Sequence, residues 1–499
     1  MPPIVVHVVL LSGQQASIKV DPKSSVNHLR LLAQKEFRVP VRSLLAADRV
    51  LNGFVAIGDA GLEDEQTITA LLQHAKVLAT RPLSMVSATR FAAWPPEGIG
   101  NVGAFVAVQP SGHVVSWGAS DCGGDTAALS EQLRDVQDVA STVGAFAAIR
   151  TSGEVVTWGH PGCGGDSEVI RNRLVHVTDI SSTQSAFCAL RHDGQIVSWG
   201  HPEHGGNCGC VQHLVSHVLS VTGNERAFAA VQADGTVLTW GSQESGGDTV
   251  GVVDELTDIV EVSCTDASFA ALRKDGRVVT WGFADWGGDS SSVQEFLTRV
   301  VCVRGSDCAF AAVRADGRVV TWGDRNSGGD SSAVQDQLHG VRDIVATHVA
   351  FAALLSDGHV VAWGDPLFGG SLRVALTDVQ HVVAGGAAFA AMMMDETVYT
   401  WGDSRSGGDS SRVQQELVGV TDVVASIAAF AAIRKDGSVV AWGDPDCGGD
   451  SSAVNGQLKN VCTIHSSAAA FVATLDDGSL VAWGDPQYGG RISSIGSAY

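Results

Sequence analysis

The dipeptide Trp-Gly recurs at Trp117, Trp158, Trp199, Trp240, Trp281, Trp322, Trp363, Trp401, Trp442 and Trp483. The interval is 41 residues each time, except for 38 between Trp363 and Trp401. Twelve residues before each Trp stands a Phe, from Phe105 to Phe471. A register kept over ten copies restricts the chain to a repeat architecture, in which a unit too small to bury its own apolar face packs against its neighbours. Residues 99–499 are read as one array of ten units.

One unit reads TDIVEVSCTDASFAALRKDGRVVTWGFADWGGDSSSVQEFL, from Thr257 to Leu297. SFAALR is short and apolar, and RVVTWG is β-branched and aromatic. Between them stands Asp275-Gly276, and Asp-Gly favours a tight hairpin because Gly accepts positive φ. Phe269–Trp281 is therefore expected to be a β-hairpin, preceded by a third strand such as Asp343-Ile344-Val345-Ala346. After Trp-Gly come a variable four-residue loop and then Gly-Gly-Asp-Ser-Ser. Ser332-Ala333-Val334-Gln335 and Ser411-Arg412-Val413-Gln414 fit a capping box, so a short helix is expected there, with a fourth edge strand as the rival. The Asp reads as a turn former and cap, because Asn207, Ser371 and Arg491 replace it in three copies. Repeat eight departs most: Glu396 replaces the turn Gly, and Met392-Met393-Met394 reads as a drifted unit or a Met-lined contact surface.

Charge bears on partners. The chain has a net charge of −22, and residues 1–80 are near neutral, so the array carries the acid. Nucleic-acid affinity depends on Lys and Arg, so direct nucleic-acid binding is not expected. Cys numbers 10 in a chain with its own large core, and Cys122, Cys163 and Cys447 share a repeat position with His204, Ser245 and Trp286. That scatter does not suit a disulfide framework and points to reduced thiols. The apolar start MPPIVVHVVLLSG lacks a basic flank and is too short to span a membrane, so a protein without membrane partner is expected, cytoplasmic or nuclear.

The string ALRKDGRVVTWG, followed by a Gly-rich turn, resembles the repeat of the regulator of chromosome condensation family. The resemblance implies a β-propeller with hairpins as blades. Here the turn is Gly-Gly-Asp-Ser, the unit is shorter than the family's, and there are ten units, so an open superhelix stands beside a closed ring. The end Arg491–Tyr499 resembles a strand preceding the repeat Phe and is a candidate to pair with the first blade.

Ahead of the array, an apolar strand over 4–12, a turn, a strand over 16–21, a helix over 25–37 with Val26, Leu29 and Ala33 on one face, and later strands at 44–47 and 67–72 are expected. IKVDPKSSVNHLR, VPVRSLLAADRVL and LEDEQTITALL resemble ubiquitin in the family's order. The resemblance implies a ubiquitin-like (β-grasp) domain over 1–75, with Leu11, Leu45 and Leu71 where ubiquitin keeps its apolar recognition patch. A terminal Gly-Gly is missing, which implies a built-in domain. Residues 76–98 read as a linker.

No phosphate-binding loop, nucleophile elbow or dinucleotide fingerprint is present. The dense run of His201, His204, Cys208, Cys210, His213 and His217 matches no zinc module and reads as surface drift. No catalytic residue, metal or cofactor is expected. Variable loops on a fixed frame carry binding, which makes Phe283, Trp286, Phe368 and Tyr488 exposed aromatic candidates for partner contact, unless they cap neighbouring blades. The expected fold is mainly β: a β-propeller-like array preceded by a small α+β domain. The expected function is a non-enzymatic scaffold binding a protein partner and linked to the ubiquitin pathway. The alternatives are a nucleotide exchange factor for a small GTPase and a non-catalytic ubiquitin-ligase subunit.

Overall fold

The Phe–Trp pairs decide the packing of the array. In all ten repeats the two rings stack, with centroids 5.1–5.4 Å apart. The computed structural model describes residues 4–10, 15–20, 22–23, 29, 32–33, 41–46, 49–50, 57, 62, 66–72, 76–80, 103–109 and 111–492. Within these lie ten three-stranded sheets and one five-stranded sheet. Cα packing divides the chain into two units, residues 1–76 with 107–113, and residues 77–106 with 114–499.

Each repeat of the array forms one sheet. In repeat five the strands are Ile259–Cys264, Ser268–Arg273 and Val278–Gly282, with Phe269 paired to Trp281. The expected hairpin and preceding strand are both present. Small residues flank each Phe for a packing reason. Ala270 and Leu272 of repeat five share a core with Phe310, Ala312 and Trp322 of repeat six. Each core therefore lies between repeats. The Trp indole locks it, because Trp322 Nε1 donates to the carbonyl of Gly287 in the preceding repeat at 3.0 Å. The same bond recurs from Trp158 to Gly123 through Trp483 to Gly448. It also runs from Trp117 of repeat one to Gly489 of repeat ten, at 2.9 Å.

Two expectations are corrected. The segment after Gly-Gly-Asp is neither an α-helix nor a strand but turns and short 3-10 segments, such as Gln335–Gln337 and Glu168–Arg173. The Gln that was to cap a helix instead serves the sheet: Gln294, Gln335 and Gln414 Nε2 donate to the carbonyls of Val278, Val319 and Val398. Second, the first sheet takes its third strand from Lys76–Ala79, at the start of the segment read as linker. The tail residues 493–499 lie outside the described residues. Repeat eight, read as a drifted unit or a Met-lined surface, keeps the frame: Glu396 adopts φ 66° in place of Gly, and its carboxylate pairs with Lys435 Nζ.

The N-terminal unit is built from β1 (Ile4–Leu10), β2 (Gln15–Val20), β3 (Val41–Ala46), β4 (Arg49–Val50) and β5 (Gln66–Leu72). The sheet order is β2-β1-β5-β3-β4, with β1 parallel to β5 and the other pairs antiparallel. Leu29, Leu32 and Ala33 are helical, and Leu29 and Ala33 join Val6, Val8, Ile18, Val20 and Ile68 in one core. Val26 lies outside the described residues. Among the described residues, no helix is long and apolar enough to cross a membrane.

Candidate partner-binding face

The variable loop after each Trp-Gly is a tight turn whose shape the next repeat dictates. In repeat five Ala284–Trp286 is a 3-10 turn closed by Gly287 at φ 96°. A Cβ on Gly287 would stand 2.5 Å from Phe310 Cδ2, so the residue must be Gly. The preceding hydroxyl also fixes the loop. Thr265 Oγ1 donates to the Trp286 carbonyl, and Thr142, Thr183, Ser306, Thr347, Ser426 and Ser467 make the equivalent bond.

This geometry sorts the aromatic candidates. Trp286, expected to be exposed, is only 6% exposed and packs with Ala267 and Cys308, with Phe283 edge-on at 5.5 Å. Its position, five residues after the Trp, is a wedge between adjacent repeats. Tyr488 fills the same place beside Gly103 and is half-buried, as are Phe368 and Phe283. The outward positions of each loop are the two before the wedge, where Leu367 is 74% exposed. Sequence variation alone did not separate wedge from tip. Leu11 lies outside the described residues. Leu45 and Leu71 lie on the adjacent strands β3 and β5, Leu45 paired with Thr69 and Leu71 with Ser43.

At the same end a backbone ladder links the repeats. The N–H of Val143 donates to the Gln184 carbonyl, and the pattern continues through Glu225, Asp266, Asp307, His348, Gly386 and Ile427 to Ala468. The side chains on this ladder divide into a polar row from Gln184 to His348 and an apolar remainder. Gln184 Nε2 donates to Glu225 at 2.8 Å, and His348 Nδ1 meets Asp307 at 2.9 Å. Burial lowers the His348 pKa, but the hydrogen bond and charge of Asp307 outweigh it, and the net shift is upward. Burial pushes the Cys308 thiol up, and Asp266, Asp307, Asp324 and Glu225 add to that.

The His/Cys run does not converge. The His201 and His204 rings lie 4.3 Å apart, tilted by 36°; His204 and Cys208 are buried, and Cys210 is exposed. Among the described residues no group of three or more His, Cys, Asp or Glu is placed to hold a metal. Ser185 Oγ and His204 Nδ1 lie 2.6 Å apart, which resembles a nucleophile–base pair. Yet Ser185 is fully buried, and burial, with His201 and Arg226, lowers the His204 pKa to about 3. A base that weak, closed to solvent, suits a structural hydrogen bond.

No family model matches the chain, and no curated protein does. Among solved structures it is similar to the ectodomain of the receptor kinase CR4 of Physcomitrella patens, at 17% identity and TM-score 0.31 over 52% of this chain and 70% of that one. It is similar to Prp20p of Saccharomyces cerevisiae, a structure described with that protein's binding to Gsp1p and histones. There the identity is 14% and the TM-score 0.35, over 66% of this chain and 82% of that one. A computationally designed protein, Ika8, matches at 16% identity and TM-score 0.31 over 62% of this chain and 96% of that one. Likenesses at this level leave function to the chain's own geometry.

Proposed function

We propose that the chain is a non-enzymatic interaction scaffold: a closed ten-bladed propeller whose loop end receives a protein partner, behind a ubiquitin-like domain that links it to the ubiquitin pathway. One observation carries the reading. The Trp–Gly bond recurs in all ten copies and the backbone ladder runs through repeats two to ten, while the side chains at the loop tips and on the ladder differ from repeat to repeat. A rigid frame with variable display suits recognition. Closure is supported by two bonds that join repeat ten to repeat one, Trp117 Nε1 to Gly489 O and Gly103 N to Gln487 O. The ubiquitin-like reading is supported by the β2-β1-β5-β3-β4 order with its parallel central pair.

The test is affinity capture with mass spectrometry on the full chain and two variants. Leu11, Leu45 and Leu71 become Ala in one. In the other, Leu367→Asp and Arg405→Asp place at two loop tips the residue that Asp121, Asp285 and Asp446 supply in other repeats. Ubiquitin-pathway proteins are expected to disappear only with the first variant, and a distinct partner only with the second. Identical captures from all three would sink the reading. An exchange factor for a small GTPase is the second reading, favoured by the ALRKDGRVVTWG resemblance. Accelerated nucleotide release from a captured GTPase would promote it.

A further inference from the structure

An Asn followed by Gly sets an amide carbonyl beside the least hindered of backbone nitrogens, since Gly has no Cβ. The chain has nine Asn, and two of them precede Gly, Asn52 and Asn455. Asn52 lies outside the described residues. Asn455-Gly456 lies in the connection after Gly-Gly-Asp of repeat nine, and both residues are exposed. A Cβ on Gly456 would meet no atom within 4 Å, so the turn has room to rotate. Among the described residues the Gly456 N–H donates to no backbone carbonyl. The turn is held by the Val454 carbonyl, which accepts from Gln457 at 2.8 Å and from Leu458 at 3.3 Å.

The frame does not use the Asn455 amide. Gln294, Gln335 and Gln414 stand at the same place in repeats five, six and eight, and each braces a strand carbonyl. Asn455 is one methylene shorter. Among the described residues the one polar contact of its side chain is the Ser451 hydroxyl, 3.4 Å from Oδ1. The chain's seven Asp-Gly turns are the contrast. In each, the Gly N–H donates to the carbonyl three residues back, as Gly276 does to Arg273 at 2.9 Å. Each Asp carboxylate also accepts the N–H two residues on, as Asp275 does from Arg277 at 3.0 Å. Nucleophile and electrophile are both tied there. The N–H after Asn326 is tied to the Asp324 carboxylate at 2.8 Å, and the N–H after Asn460 to the Gly437 carbonyl at 2.9 Å.

We propose that Asn455 is a site of spontaneous covalent modification, at which the folded array converts an amide to aspartate or isoaspartate. The Gly456 nitrogen gives its proton to solvent base and attacks Asn455 Cγ. The new C–N bond closes a succinimide ring as the side-chain amide nitrogen leaves as ammonia. Water then adds to one of the two imide carbonyls and cleaves that C–N bond. Cleavage at Cγ gives aspartate; cleavage at the main-chain carbonyl gives isoaspartate. The isoaspartate form carries one extra main-chain methylene between Val454 and Leu458, both of which pack in the core between repeats nine and ten. Its free α-carboxylate is also a substrate for a carboxyl methyltransferase. There the methyl group passes from the sulfonium of S-adenosylmethionine to the carboxylate oxygen and leaves a thioether.

The test incubates the folded full chain in mildly alkaline buffer made with heavy-oxygen water and maps its peptides by mass spectrometry. A second aliquot is treated with an isoaspartyl methyltransferase and labelled S-adenosylmethionine. The Asn455 peptide is expected to exchange its amide for a heavy-oxygen acid and to take the methyl label, while the peptides of the seven Asp-Gly turns and of Asn326 take neither. In urea the Asp-Gly peptides are expected to take the methyl label as well, once their turns are undone. Gly456→Ala and Asn455→Gln are each expected to lose both signals at position 455 with the melting temperature unchanged. Gly456 has no positive φ to defend, and Gln is the residue of three other repeats. An Asn455 peptide that keeps its amide in the folded chain would overturn the proposal. So would a conversion undiminished in Gly456→Ala, or the same pattern of label in folded and unfolded chain, which would leave the fold no part in choosing the site.

Discussion

His204 shows how one side chain ties stability to pH. It is 4% exposed, and burial, with His201 and Arg226 beside it, favours the neutral ring, with a folded pKa of about 3. In the unfolded chain the ring takes up its proton near pH 6.5. Between those values the unfolded state binds more protons, so stability falls as pH drops through that window and is full above pH 6.5. The slope is about 1.4 kcal/mol per pH unit for one proton. His204→Ser places the residue found at Ser245, Ser327 and Ser406. The variant is expected to lose stability at pH 7, through the smaller wedge, but to close the gap with the unmodified chain by pH 4. Urea midpoints at the two pH values check this, and a gap constant with pH would remove His204 as the cause. The repeat marked this position as variable but not as buried. What hid Trp286 from the sequence was the same ambiguity, because a wedge between repeats varies with its neighbours as freely as a loop tip does.

At the scale of the element, the hairpins were legible because local chemistry and tertiary packing agree: Asp-Gly sets the turn, and VVTWG carries the β-branched and aromatic residues of a strand. The segment after Gly-Gly-Asp was not legible, because a Ser followed by Gln reads as a helix start whether the amide turns back or reaches sideways. It reaches sideways, and each Gln satisfies a carbonyl on the open edge of the third strand where a fourth strand would otherwise pair. Gln335→Ala should leave the Val319 carbonyl without that partner and free the Ser331 hydroxyl that now bonds to Gln335. The expected cost is about 1–2 kcal/mol, read from chemical denaturation. Gln335→Glu should cost at least as much, since a carboxylate cannot donate to the carbonyl. A neutral result for both would mean that water satisfies the edge equally well.

The whole molecule turns on whether repeat ten is a neighbour of repeat one or merely the end of a stack. In an open repeat array the terminal interfaces fray, and damage there costs little. In a ring every interface is internal. Gly287 and Gly489 occupy the same place in repeats five and ten, at φ 96° and φ 84°. A Cβ on Gly287 would collide with Phe310 of the next repeat, and one on Gly489 with Phe105 and Trp117 of repeat one. Gly287→Ala is expected to cost roughly 2–3 kcal/mol from the left-handed backbone and the collision together. If the ring closes, Gly489→Ala costs the same within experimental error and also perturbs the near-ultraviolet signal of Trp117, because the collision strikes the ring's only junction between chain-distant repeats. If the array is open, Gly489→Ala is nearly silent while Gly287→Ala keeps its full cost. Matched melting and denaturation curves for the two single variants therefore separate a closed propeller from a superhelix without reference to any partner.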